Sequence, residues 1–99
     1  APLNLTERRE PLVDVIEDGD TVKVLAELPG VEKRDIRLKA TDHSLTINVD
    51  NPTRKYYKEL EFPEEVDEKT AKSTYTNGVL EIVFSKKRQD DAGTEIRIG

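Results

Sequence analysis

Apolar residues recur at every second position along much of this chain. Val22, Val24, Ala26 and Leu28 form one such run. Ile36, Leu38 and Ala40 form a second, and Leu45, Ile47 and Val49 a third. A period of two is that of a strand that buries one face, because successive side chains point to opposite sides. An earlier alternating stretch opens near Leu12. Residues 55–62 set Tyr56, Lys58, Leu60 and Phe62 against Tyr57, Glu59 and Glu61, and Pro63 ends that strand. Residues 70–76 and 79–84 supply two more. The breaks fall where turn chemistry predicts them: Glu17-Asp18-Gly19-Asp20, Leu28-Pro29-Gly30-Val31, Asp42-His43, Asp50-Asn51-Pro52 and Asn77-Gly78. Asn-Gly is the strongest short hairpin signal here, since a type I′ turn requires positive φ at both central residues. Residues 64–69 read as an acidic loop with one helical turn. No repeat, heptad or long helix is visible. Short strands at this spacing predict an all-β domain, a sandwich or a small barrel.

The chain has 99 residues, enough for one domain and one core. Only 34% of the residues are hydrophobic, so the core must be built from few side chains placed on one face of each strand. The net charge of -5 argues against nucleic acid or an anionic membrane as the main partner, because phosphate binding needs a basic face. Cysteine is absent, which excludes disulfides and thiolate metal sites. No apolar run is long enough to cross a bilayer and no signal peptide is visible. The expectation is a cytoplasmic protein.

Little in the sequence supports catalysis. His43 is the only histidine and lies beside Asp42 in a turn, where a solvated side chain outweighs a catalytic dyad. Glu64, Glu65, Asp67 and Glu68 lack the Gly-punctuated ligand spacing of a calcium loop. Asp18-Gly19-Asp20 is turn chemistry for the same reason. There is no phosphate loop and no nucleophile elbow. Tyr56 and Tyr57 near Arg54, Lys55 and Lys58 faintly suggest a stacking platform for single-stranded nucleic acid, but Glu59, Glu61, Glu64 and Glu65 follow directly and would repel phosphates. The sequence therefore predicts no enzyme, no cofactor and no metal.

The end of the chain is more informative. Residues 87–99 form a charged linker carrying an isolated Ile96-Arg97-Ile98. In an extended segment, side chains at i and i+2 share a face, so Ile96 and Ile98 would present two branched apolar knobs to one surface. Such a segment can lie along an exposed sheet edge, with backbone bonds giving affinity and pockets giving specificity. A last strand of the same sandwich is the competing reading.

These features, taken in order, resemble the alpha-crystallin domain of small heat-shock proteins of archaeal or bacterial type. The resemblance rests on Pro11-Leu12-Val13-Asp14-Val15, Leu28-Pro29-Gly30-Val31 and Phe62-Pro63-Glu64-Glu65-Val66-Asp67. It rests most of all on Tyr75-Thr76-Asn77-Gly78-Val79-Leu80-Glu81-Ile82 with Lys86-Lys87, and Ile96-Arg97-Ile98 is similar to the family's Ile-x-Ile tail motif. It implies an immunoglobulin-like antiparallel β-sandwich over residues 11–86, flanked by a mobile arm at 1–10 and the linker and tail at 87–99. It further implies an ATP-independent holdase that binds partly unfolded clients and assembles with itself, at least as a dimer. By the same resemblance, Ile36, Leu38, Ala71 and Ser73 would line or flank the groove that receives the tail motif, and Tyr56 and Lys58 are candidates for subunit contacts. Three departures stand out. Ser73 replaces the family's usual Ala, and Lys58 its usual Arg. The link from Val49 to Tyr56 is too short for the extra strand that many members exchange between protomers, which counts against that form of dimer. The alternative reading is a monomeric co-chaperone or adaptor domain of the same sandwich type with one defined protein partner.

Overall fold

The alternating runs pair into two layers. The computed structural model describes residues 8–87 and Ile98. Its strands are β1 (Arg8–Arg9), β2 (Val13–Asp18), β3 (Thr21–Glu27), β4 (Ile36–Ala40), β5 (Ser44–Asp50), β6 (Lys55–Glu61), β7 (Val66–Thr76) and β8 (Val79–Lys86). One sheet has the order β1-β6-β5-β4 and the other β2-β3-β8-β7. All pairs are antiparallel except β1 with β6, where Arg8 and Arg9 lie parallel to Lys55 and Tyr56. The domain is thus the immunoglobulin-like sandwich expected.

Register explains the core. Val24 of β3 lies opposite Ile82 of β8, and Ile47 of β5 lies opposite Leu38 of β4. The inward faces so formed bring together Val22, Val24, Ala26, Leu45, Ile47, Val49, Leu80, Ile82 and Phe84, all essentially fully buried. Phe62 closes one end against Phe84, ring centroids 4.8 Å apart and tilted by 58°, an arrangement that aromatic quadrupoles favour.

The Leu28–Val31 corner carries the chain from one sheet to the other. Gly30 has φ +80°, a conformation costly for any residue with a Cβ. A Cβ there would also meet the Arg54 side chain at 2.8 Å. The corner is held from several sides. The Leu28 amide donates to Gly78 O at 2.7 Å, and the Tyr56 hydroxyl donates to Pro29 O at 3.1 Å. The Tyr75 hydroxyl lies 2.5 Å from Leu28 O and 3.1 Å from Val31 O. The β7–β8 hairpin turns at Asn77 and Gly78 with φ 52° and 79°, the type I′ signature read from the sequence.

Two local expectations need correction. Residues 64–69 hold no helical turn, because β7 already begins at Val66. Among the described residues the single turn of 3-10 helix lies instead at Lys33–Asp35, where an Asp35 carboxylate oxygen accepts from the Glu32 amide at 2.9 Å and from Asn51 Nδ2 at 2.9 Å. Arg8 and Arg9, read as part of a mobile arm, form a short strand, while residues 1–7 lie outside those described.

Candidate functional site

Each sheet ends in an edge strand. On one side of the sandwich the edges are β4 and β7, which belong to different sheets. Between them lies a cleft of about 220 Å³, lined by Lys33, Ile36, Leu38, Ser73, Thr74, Tyr75 and Leu80. Its origin is a size mismatch. Leu38 faces inward opposite the fully buried Ile47, yet it remains 37% exposed. Across from it, the inward-facing residue of β7 is Ser73, in register with Ile82. A serine is too small to cover a leucine, so apolar surface stays open between the layers.

Ile36, Leu38 and Ser73 therefore share this cleft. Ala71 does not line it. The β7–β8 register breaks between Asp67 and Lys72, and Ala71 sits in that irregularity. There the Thr70 hydroxyl takes over part of the ladder, accepting from the Ser85 amide at 2.8 Å and donating to Asp67 O at 2.6 Å. A bulge shifts the facing of the residues within it, so Ala71, which the family resemblance set on or beside the groove, is not among the residues that line the cleft. The lining residues the sequence reading missed are Lys33, Thr74, Tyr75 and Leu80. Leu80 was legible as the inward partner of Tyr75 across the Asn77-Gly78 turn.

The other candidates fall elsewhere. Tyr56 is a core residue, only 7% exposed, which leaves little surface for another subunit. Lys58 faces the core side of β6 opposite Ile47, and its amine escapes to pair with the Glu10 carboxylate. It lines a second cleft, of about 330 Å³, with Arg9, Glu10, Tyr57 and Glu59. This cleft adjoins residues 57–61 of β6, beyond the two-residue β1. His43 Nδ1 lies 2.7 Å from Asp42 Oδ1 in an exposed turn, and Asp42 Oδ2 is also 3.5 Å from Lys87 Nζ. The hydrogen bond from His43, helped by Lys87, holds the Asp42 carboxyl below its usual range. Glu64 Oε2 is engaged by Lys86 Nζ at 2.9 Å, and Glu65 lies 3.8 Å from Lys87. These acids thus serve ion pairs at the end of β8. Of the tail pair, Ile96 lies outside the described residues. Ile98 is 98% exposed, an apolar side chain with nothing over it.

The family described as Hsp20/alpha crystallin family matches residues 14–99. The chain is 27% identical over 101 residues to a probable 15 kDa heat shock protein of Leptospira interrogans, covering 88% of this chain and 78% of that protein. It is 33% identical over 104 residues to an 18 kDa heat shock protein of Clostridium acetobutylicum, covering 87% and 69%. Among solved structures, heat shock protein 16.0 from Schizosaccharomyces pombe superposes with a TM-score of 0.74 at 24% identity, over 93% of this chain and 77% of that one. At that identity the likeness speaks for the fold alone.

Proposed function

The chain belongs to the Hsp20/alpha crystallin family of small heat-shock chaperones, and from that premise we propose that it acts as an ATP-independent holdase whose β4–β7 cleft has two competing occupants, the tail of a neighbouring copy and an unfolded client. The observation that carries this reading is the open cleft itself, which exposes Leu38 beside polar neighbours and is flanked by two edge strands. Unpaired strand edges offer backbone donors and acceptors to an added segment. Paired isoleucines on an extended tail supply knobs of the right kind.

The energetics suit a reversible latch. Burying two isoleucines contributes about 3–6 kcal/mol. Ordering a few tail residues costs about 1–2 kcal/mol each. A single latch is therefore weak, and several acting together on one assembly are strong because linked binding raises effective concentration. Warming releases latches and opens clefts to clients. No catalytic step is invoked. The subunit contacts that complete the assembly involve the second cleft, at Lys58 and Tyr57, rather than Tyr56.

The test is suppression of aggregation of a heat-denatured client without ATP, run beside the Ile96→Ala/Ile98→Ala variant with mass followed by light scattering. The chain is expected to keep the client soluble, and the variant to form smaller assemblies. Loss of client protection in the parent chain under ATP-free conditions defeats the holdase reading, and unchanged mass in the variant defeats the latch.

A further inference from the structure

The Asn77-Gly78 turn joins a reactive sequence to a geometry that restrains it. Asn4 precedes Leu5, Asn48 precedes Val49 and Asn51 precedes Pro52, and Asn77 alone of the asparagines precedes a glycine. A peptide nitrogen can attack the side-chain carbonyl carbon of the asparagine before it and close a five-membered ring. Gly78 presents that nitrogen with no Cβ to shield it, whereas Pro52 has no N–H to give up. Asn77 is exposed, and its side chain makes no hydrogen bond among the described residues. The ladder closes through Thr76 and Val79, which leaves the Gly78 nitrogen outside it. The turn itself opposes the ring. Closure needs the Gly78 nitrogen nearly eclipsed with Cβ of Asn77 about the Cα–C bond. A type I′ turn holds ψ of its first central residue at about 30°, far from that arrangement. Gly78 is also clamped from outside. Its carbonyl accepts from the Leu28 amide at 2.7 Å, and Pro29 Cα lies 3.3 Å from where a Cβ on Gly78 would stand.

We propose that Asn77 is a self-modification site gated by the β7–β8 hairpin: the closed turn keeps the side chain as an amide, and each opening lets Gly78 attack it. The Gly78 nitrogen gives its proton to hydroxide and bonds to Asn77 Cγ. The Cγ–Nδ2 bond breaks, and ammonia leaves with a proton from water, which restores the hydroxide. One water then opens the succinimide. Cleavage of the new bond gives an aspartyl residue on the original backbone. Cleavage at the other ring carbonyl gives an isoaspartyl residue, whose backbone runs through Cβ and Cγ. Either product adds one negative charge. The isoaspartyl form also adds a backbone methylene to a two-residue turn, so the Thr76–Val79 register and the Leu28–Gly78 bond no longer fit together. Tyr75 and Leu80 are the next pair in that ladder and line the cleft, so damage at the turn reaches the cleft wall. The chain thus records how long its hairpin has stood open, and heat advances the record.

The experiment incubates the full chain at neutral pH, folded and in urea, and follows its tryptic peptides by mass spectrometry. The turn lies in the peptide 73–86, between cleavage after Lys72 and after Lys86. Isoaspartyl groups are counted with an isoaspartyl methyltransferase. Product is expected at residue 77 well ahead of Asn48 and Asn51, and about tenfold faster in urea, where nothing restrains ψ. Tyr75→Phe removes the hydroxyl that ties Leu28 O and Val31 O. It is expected to speed the reaction several-fold in the folded chain, since the rate follows the open fraction. Asn77→Gln, which would need a six-membered ring, is expected to stay unmodified. A folded chain without product after about a hundredfold the time that converts the unfolded one overturns modification of the native protein. Equal rates in folded and unfolded chains overturn the gate. The isoaspartyl fraction is expected to unfold at lower urea than Asn77→Asp, which carries the charge without the methylene, and equal midpoints overturn the damage to the turn.

Discussion

Tyr75 directs one hydroxyl at two carbonyl oxygens, those of Leu28 and Val31, on either side of the Pro29-Gly30 corner. The same residue closes part of the cleft lining. Tyr75→Phe keeps the ring and leaves both carbonyls short of a partner, so a loss of about 1–2 kcal/mol is expected in urea unfolding. Gly30 is constrained in two ways, by its positive φ and by the Arg54 side chain above it. The two causes separate by a double variant. An arginine side chain is flexible and can move aside, but backbone strain cannot. Gly30→Ala is expected to cost about 1–2 kcal/mol, and to cost nearly the same in an Arg54→Ala background. Full recovery in that background would show steric contact, not φ, to be the dominant cause. Ser73 decides the cleft. Ser73→Leu places a side chain of matching size opposite Leu38, so the variant should match or exceed the parent in thermal midpoint while protecting clients less well. An unchanged aggregation assay would remove the cleft from the mechanism.

Strand β7 shows what a period of two can and cannot reveal. Its bulge is bridged by Thr70, whose hydroxyl replaces a ladder acceptor for the Ser85 amide. Thr70→Val preserves shape and orphans that amide, with an expected loss of about 1–2 kcal/mol and faster hydrogen exchange at Ser85. Elements whose inward faces are uninterrupted, such as β3, β5 and β8, were legible because burial of one face imposes strict alternation. The start of β7 was not, since Val66 is its one fully buried residue before the register breaks and the acids around it read as loop. The 3-10 turn did carry a signal in the spacing of Glu32 and Asp35, a capping pattern of the kind that opens helices. Strand β1 carried none, because its two residues are fixed by parallel pairing with a strand some 47 positions away, Arg8 with Lys55. For the site, the strand pair flanking the cleft came from the family resemblance and not from the alternation, and the bulge that sets Ala71 aside leaves no mark in a period of two. Tyr56 and Tyr57 differ only in parity, and alternation alone does not say which of two neighbouring tyrosines faces the core; the structure buries Tyr56.

On the scale of the whole molecule, the end of β8 ties both layers together. Lys86 Nζ reaches Glu17 of β2 at 2.6 Å and Glu64 of the β6–β7 connection at 2.9 Å, while its amide donates to Asp20 O at 2.7 Å. Lys87 adds Asp42 and Glu65. Hydrogen bonding to Lys86 lowers the Glu64 carboxyl from 4.5, and that from Asn51 lowers Asp35 from 3.8, as His43 does for Asp42. A carboxyl whose folded pKa lies below its unfolded value stabilises fully above the unfolded value, and the contribution disappears as pH falls through the folded one. Lys86 is the mirror case. Glu17 and Glu64 raise its amine above 10.5, so its contribution is complete below that value and is lost as pH rises past it. The urea midpoint is therefore expected to stay level between about pH 5 and pH 10 and to fall on both sides. Lys86→Met removes the shared cation, so it should soften the acid limb by the Glu64 share and weaken the alkaline limb, while Asp42→Asn should alter the acid limb alone. Since these pairs fix the end of β8, a Lys86→Met protein with the parent's pH profile would mean that this end is held by the backbone bonds of Lys86 and Lys87 and not by their charges.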